Sequence, residues 1–357
     1  MSALKRAGHE VRLFSTRTSE RLHEPFYRVR SALRVASGIG RWPAGLLAYE
    51  PDVIHVHNLF PNFGRRWVEQ VDVPVVATLH NFRPICANAL LLRDGRVCTR
   101  CPDGAPLSGF RFACYRGSRL ATAPLTAATW SPDRRDPVLR SATRLLVMSD
   151  VMASIYERVG VERDRMVTMP NFLPDNLMPP PSGNEATPTD WLFVGRLAPE
   201  KGILELLRRW PGERRLTIVG DGPQRAHIEA ASRDKAVHLA GGLPREAVLE
   251  LMQRSIGLLF PSPWLEGSPL VYLEALANGL PVLAWQPNVL AHAVEREGTG
   301  CAVGRDANLR EVLDRAESAF PSMRLRCTHV FEEHYSERAF IERAEQVYSD
   351  VVGHAAG

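Results

Sequence analysis

Lysine is nearly missing from this 357-residue chain: of 44 basic residues only Lys5, Lys201 and Lys235 are lysines, and arginine supplies the rest. Long apolar runs are missing too. None reaches the roughly 18 residues that a membrane-crossing helix needs, and no secretory signal pattern opens the chain, so a cytoplasmic protein is expected. Short-period repeats are absent, and biased composition is confined to one stretch, Leu177 to Asp190. No nucleic-acid-binding motif or alternation of aromatic and basic residues accompanies the positive charge, which argues against nucleic acid as a partner. What is present is ordinary for a soluble globular protein, 45% hydrophobic and 24% charged. The length suffices for two domains, each with its own core.

Charge is unevenly distributed. Residues 1–182 carry 25 Arg and Lys against 16 Asp and Glu, whereas residues 183–357 carry 19 against 24. Clusters such as Arg28, Arg30 and Arg34, or Arg134 and Arg135, are suited to anionic lipid headgroups, each cation adding about 1 kcal/mol near such a surface. Peripheral contact with the inner face of the cell membrane is therefore expected of the amino-terminal half.

Strand-like apolar runs alternate with helical patterns, which is the mark of parallel α/β sheets. Val11–Ser15, Asp52–His57, Val73–His80, Thr143–Ser149 and Met166–Pro170 read as strands of a first domain, residues 1–176. The Pro-, Gly-, Ser- and Thr-rich residues 177–190 read as a linker. A second domain, 191–331, takes strands at Trp191–Val194, Leu216–Gly220, Val237–Leu239, Ile256–Phe260 and Pro281–Trp285. Residues 332–357 hold an amphipathic helix capped by Ser336.

The chemistry concentrates in the second domain. IGLLFPS gives way through Pro263, Gly267 and Pro269 to the helix LVYLEALANG, leaving Glu266 in the loop and Glu274 inside the helix. A helix N-terminus with free N–H groups favours a diphosphate, and Gly267 and Ser268 let the backbone come close. Glu274, about 9 Å along the helix from that end, is placed to accept from a ribose diol, and Glu266 to face the reacting group beyond the phosphates. WLFVGRLAPEKG is a buried strand followed by a turn that carries Arg196 and Lys201, a guanidinium fork and a point charge suited to a diphosphate leaving group.

Together FVGRLAPEKG, LTIVGDGP and EGSPLVYLEALANGLPVLA resemble family 4 of the retaining glycosyltransferases, of the type that builds bacterial envelope polysaccharides. The resemblance spans nearly the whole chain. It implies the GT-B fold, an α/β architecture of two Rossmann-like domains with parallel sheets facing across a cleft. It also implies transfer of a sugar from a nucleotide-diphosphate sugar to a hydroxyl of a glycan or lipid-linked acceptor, without a metal in catalysis. Arg196 and Lys201 become diphosphate ligands, Glu266 addresses the donor sugar, Glu274 holds the ribose, and Gly267, Ser268, Pro269 and Leu270 line the phosphate pocket. The carboxy-terminal helix is expected to return to the first domain.

His57 and His80 end first-domain strands, where neutral imidazoles can donate to sugar hydroxyl or phosphate. The resemblance favours His80 as a catalytic residue, and His55 falls on the packing side of the alternation. Cys86, Cys98, Cys101 and Cys114 fall within residues 83–119, an insertion in the first domain, with two residues between the middle pair. That spacing suits a tetrahedral thiolate site for structural zinc. Similar insertions occur in some members of the resembling family.

Two departures from the family stand out. The chain opens SALKRAGHEVRLF, which resembles the end of a first helix running into a second strand, so an amino-terminally shortened form, weakened or inactive, is one expectation and an upstream start the other. In AWQPNVLAHAV, Asn288 and Val289 stand where the family usually has glycines and a glutamate. Two other readings stay open: a sugar-nucleotide epimerase of the same fold, and a non-catalytic sugar-nucleotide binder.

Overall fold

Continuous apolar runs such as VVATL and IGLLF become strands covered on both faces, as parallel sheets require. The computed structural model describes residues 1–130, 136–177, 188–304 and 306–355. Most of the expected linker lies outside the described residues, as do Arg134 and Arg135. The chain divides into two units, one of Met1–Arg93, Cys98–Pro170 and Ile341–Gly357, the other of Asp94–Val97 and Asn171–Phe340.

The first unit holds β1 (Ile54–Val56), β2 (Val75–Leu79), β3 (Leu92–Arg93), β5 (Arg144–Val147) and β6 (Met166–Thr168), while β4 (Arg96–Val97) falls in the second. The main sheet is parallel in the order β1-β2-β5-β6. Every residue of β2 is buried. The expected strand at Val11–Ser15 does not form: this segment joins no ladder among the described residues. The reason is visible in its side chains. Leu13 is 63% exposed and Arg12 lies over the rings of Phe14 and Tyr49, so alternation buries neither face.

The second unit carries β7 (Asp190–Val194), β8 (Leu216–Val219), β9 (Val237–Gly241), β10 (Ser255–Phe260), β11 (Val282–Trp285) and β12 (Gly300–Val303). They form one parallel sheet in the order β12-β11-β10-β7-β8-β9. Side chains alternate between two cores, as a period of two demands. Leu192, Leu258, Phe260, Val282 and Ala284 join one core, which includes Leu273 and Leu276. Trp191, Phe193, Leu216, Ile218, Leu259 and Leu283 join the other, with Ile203, Leu206 and Leu207. The helices that flank the site-bearing loops are thus anchored to the sheet on both of its faces.

The last helix, Glu337–Ala355, starts where expected, with Ser336 Oγ accepting from the Ala339 N–H at 3.2 Å. Its later residues belong to the first unit, where Tyr348 Oη lies 2.6 Å from His55 Nδ1.

Candidate functional site

Parallel topology brings the carboxyl ends of β7, β8 and β10 to one edge of the second unit's sheet, where open α/β sheets hold ligands. The turn after β7 runs through Arg196 to a short 3-10 turn, Pro199–Lys201, and then Gly202. Gly202 has φ 72°, and a Cβ there would lie 2.2 Å from the Pro261 carbonyl oxygen. Only glycine permits both the left-handed backbone and this approach. Consequently the turn after β7 lies directly against the loop after β10. Ser262 Oγ adds a tie by donating to the Glu200 carbonyl at 2.8 Å.

This approach seats the Lys201 ammonium on Glu266, an ion pair between residues 65 apart in sequence. Glu266 is 7% exposed. Its Oε1 also accepts from Trp264 Nε1 at 2.7 Å, with Ser262 Oγ lying 3.4 Å away. A nearly buried carboxylate is thereby supplied with donors on one oxygen, as a buried charge must be.

Arg196 follows a second close approach. A Cβ on Gly220 would lie 2.0 Å from the Gly195 carbonyl, and two backbone bonds zip the adjoining loops, Leu197 N–H to Asp221 O and Gln224 N–H to Leu197 O, each 2.9 Å. The Arg196 guanidinium pairs with Glu200 and its side chain stays 66% exposed, which leaves it a swinging cation at the rim. Lys201 is the better-anchored of the two.

Glu266 leads through Gly267, Ser268 and Pro269 into the helix Leu270–Ala277, with Pro269 at the cap position and no side chain capping its N–H groups. Ser268 is held by Asn171, whose backbone N–H donates to Ser268 Oγ at 3.0 Å and whose Nδ2 donates to the Ser268 carbonyl at 2.6 Å. Because the helix begins at Leu270, Glu274 lies about 6 Å along it, nearer the tip than the sequence suggests. Burial raises its pKa, and Arg245 works against that shift. Arg245 Nη2 stands 3.0 Å from Glu274 Oε1 and its Nη1 donates to the Leu177 carbonyl at 2.8 Å. No sequence signal pointed to Arg245, since a lone arginine opening a helix resembles any surface residue.

Asn288 is a second residue that sequence reading undervalued. Fully buried, it caps the helix Val289–Glu297 by accepting from the Leu290 N–H at 2.8 Å. Its Nδ2 donates to the carbonyls of Ser262 at 3.0 Å and Trp264 at 2.8 Å. It holds the very loop that presents Glu266.

In the first unit His57 and His80 close over one another, Nδ1 to Nε2 at 3.0 Å. His55 stacks on His57 at 4.4 Å and bridges Tyr348 Oη and Thr78 Oγ1, at 2.6 and 2.7 Å, consistent with its place on the packing side. Burial, then the neighbouring imidazoles, push the pKa of His55 down to about 3 and that of His57 to about 4; burial also lowers His80. All three are neutral near pH 7. His57 and His80 line a cavity of about 250 Å³ together with Arg34, Arg65 and Arg83. Arg65 is committed to Asp136, and Arg83 lies over Phe60 and Tyr115.

The four insertion cysteines line one small void, and none is disulfide-bonded. Burial, aided by the other thiols, raises the Cys101 pKa to about 11. Among the described residues no three His, Cys, Asp or Glu side chains are set for metal binding as they stand.

Sequence comparison matches residues 1–176 to the family described as Glycosyltransferase Family 4 and residues 177–323 to Glycosyl transferases group 1. The chain is 26% identical over 291 residues to the glycogen synthase of Mycobacterium tuberculosis, covering 76% of this chain and 62% of that protein. It is 27% identical over 187 residues to WcaL of Escherichia coli, a putative colanic acid biosynthesis glycosyltransferase, covering 46% and 45%. It therefore spans less than two thirds of the length of these relatives. Among solved structures, Anabaena HepE in complex with UDP superposes with a TM-score of 0.57 at 15% identity, over 85% of this chain and 80% of that one. The fold is thus GT-B, with two Rossmann-like units, and the chain belongs to the family 4 glycosyltransferases.

Proposed function

We propose that this protein transfers a sugar from a nucleotide-diphosphate sugar to an acceptor hydroxyl, with retention at the anomeric carbon, in the synthesis of cell-envelope polysaccharide or glycolipid. The observation that carries this reading is the Lys201–Glu266 pair beside the uncapped helix Leu270–Ala277. As the donor's glycosidic bond breaks, negative charge gathers on the leaving diphosphate. Helix N–H groups already in position stabilise that charge without reorganising, and an ammonium close at hand adds to them. Lys201, drawn to the phosphates, releases one oxygen of Glu266 to address the sugar. Arg196 reinforces the phosphate contact from the rim, Glu274 accepts from the ribose, and Gly267, Ser268, Pro269 and Leu270 form the backbone of the phosphate pocket. His80 serves as a neutral donor on the first unit. The UDP bound by the HepE structure makes uridine nucleotides the first donors to try.

Full-length protein incubated with UDP- and GDP-sugars, with and without acceptor, tests the reading. Acceptor-dependent release of nucleoside diphosphate is expected. Sugar isomerisation with donor alone would select the epimerase instead, and binding without turnover the non-catalytic binder. In calorimetry, Lys201→Ala should weaken nucleoside diphosphate binding by about 10- to 100-fold, the loss of a charged hydrogen bond of about 1.5–3 kcal/mol. Unchanged affinity would remove Lys201 from the phosphate site.

Membrane contact belongs to the same proposal. The helix Tyr27–Ser37 buries Tyr27 and Ser31, while Phe26, Val29 and Leu33 are 77%, 57% and 65% exposed. Val29 and Leu33, four apart, share one face of the helix, Phe26 stands just ahead of its first turn, and Arg28 and Arg30 flank them. No helix among the described residues is long and apolar enough to cross a membrane, so the attachment proposed is to the surface. Vesicles containing anionic lipid should sediment the protein, less so in high salt. Phe26→Asp with Leu33→Asp should weaken this at least about tenfold; equal sedimentation of the variant would discard the patch.

A further inference from the structure

We infer that Cys86, Cys98, Cys101 and Cys114 bind one structural zinc ion that holds the insertion, through the convergence of all four thiols on one small void of the first unit. The insertion brings them together from three separate stretches of backbone. Cys86 lies on the turn after β2, where its N–H donates to the Phe82 carbonyl at 2.8 Å. Cys98 and Cys101 flank a tight turn whose next residues fold back, Asp103 N–H to Thr99 O at 2.8 Å and Ala105 N–H to Arg100 O at 2.9 Å. Cys114 follows the one-turn helix Ser108–Arg111, its N–H donating to Gly109 O at 3.0 Å. The void they share measures about 10 Å³ and is closed by Leu92 and Phe112. That is a space for a single ion, at Zn–S distances of about 2.3 Å, rather than for an organic ligand.

Two further observations point the same way. Of seven non-glycine residues with positive φ among the described residues, five lie here: Ala89, Leu91, Asp94, Ala113 and Arg116. Backbone of this kind costs about 1–3 kcal/mol per residue and persists only where the surroundings impose it. Packing holds Ala89 and Leu91, which are buried with Ile85, but regular structure in the insertion is limited to two two-residue strands and a four-residue helix. A metal cross-link would add to that packing. Second, the guanidinium groups of Arg93, Arg100 and Arg111 gather on the Phe112 ring, 3.9, 5.5 and 5.6 Å from its centroid. A tetrathiolate zinc centre carries a net charge of about −2, and cations crowded at its wall balance that charge. The thiols are not at ligating separations as they stand, so binding draws them inward across the void and displaces their protons.

The inference is independent of the transferase reading, and its test does not use activity. Full-length protein purified under reductant and dialysed should contain about one zinc per chain by mass spectrometry of metals. Cys98→Ser with Cys101→Ser should lose it, while Cys301→Ser with Cys327→Ser should keep it. Should the first pair not fold, the wild-type protein decides: a strong chelator should withdraw the zinc, open four thiols to a thiol reagent and lower the melting temperature, and added zinc should reverse all three. A folded wild-type chain without zinc, with iron in its place, or with these cysteines oxidised to disulfides overturns the inference. So does zinc that survives in the Cys98 and Cys101 variant.

Discussion

Replacing Glu266 by Ala should abolish sugar transfer, lowering kcat by at least about 10²-fold while nucleoside diphosphate still binds. The carboxylate is nearly buried and collects an ammonium and an indole N–H on one oxygen. Such a group is costly to keep charged unless the charge is used. Removing it leaves Trp264 Nε1 and Lys201 without their acceptor, a penalty of about 1–3 kcal/mol each where water does not replace it. Glu266→Gln separates the two consequences. The amide oxygen still accepts from Trp264 and Lys201, so the melting temperature should stay close to that of the wild type, but the negative charge facing the sugar is gone. Transfer should therefore fail in both variants and stability chiefly in the alanine one. Product formation by Glu266→Gln at the wild-type rate, assayed with labelled donor, would show that the carboxylate is structural.

The strands that carry this site were legible because burial on both faces writes itself into sequence as unbroken apolar runs. IGLLF and VVATL are β10 and β2 to within a residue or two. Val11–Ser15 (VRLFS) is also mostly apolar, but composition does not say whether a neighbouring ladder will take the strand. In contrast β12 (Gly300–Val303) gave little signal, being short and opening with a glycine. That glycine is there because a Cβ would lie 1.9 Å from the Val282 carbonyl, a tertiary constraint with no local trace. Site residues divide in the same way. Lys201 was conspicuous in a chain almost without lysine, and Glu266 and Glu274 by their place at a strand-to-helix junction. Their partners were not. Arg245 meets Glu274 across 29 positions and Lys201 meets Glu266 across 65, and pairings at that range follow from strand order, which periodicity does not give. The long helix Leu309–His334 was not among the elements marked out, and Pro321 in its interior is a residue that ordinarily kinks or breaks a helix.

Asn288 is where that illegible layer should have its largest measurable effect. Its side chain does two things at once: the amide oxygen caps the helix Val289–Glu297, and the amide nitrogen bridges the carbonyls of Ser262 and Trp264. Asn288→Ala removes both. Loss of the cap costs about 0.5–2 kcal/mol, and each buried carbonyl left without its donor about 1–3 kcal/mol. A destabilisation of about 3 kcal/mol or more by denaturant titration is expected. Asn288→Asp keeps the capping oxygen but sets a carboxylate oxygen against the two carbonyls where the amide nitrogen donated, so it should retain the cap yet push the loop away. Because that loop carries Trp264 and Glu266, the aspartate variant should lose kcat beyond what its stability predicts, at temperatures where it remains fully folded. Nucleoside diphosphate affinity, set by Lys201 and the helix tip, should change far less. A variant with wild-type kcat would mean that Glu266 keeps its position through its own bonds to Lys201 and Trp264, and that Asn288 matters only to folding.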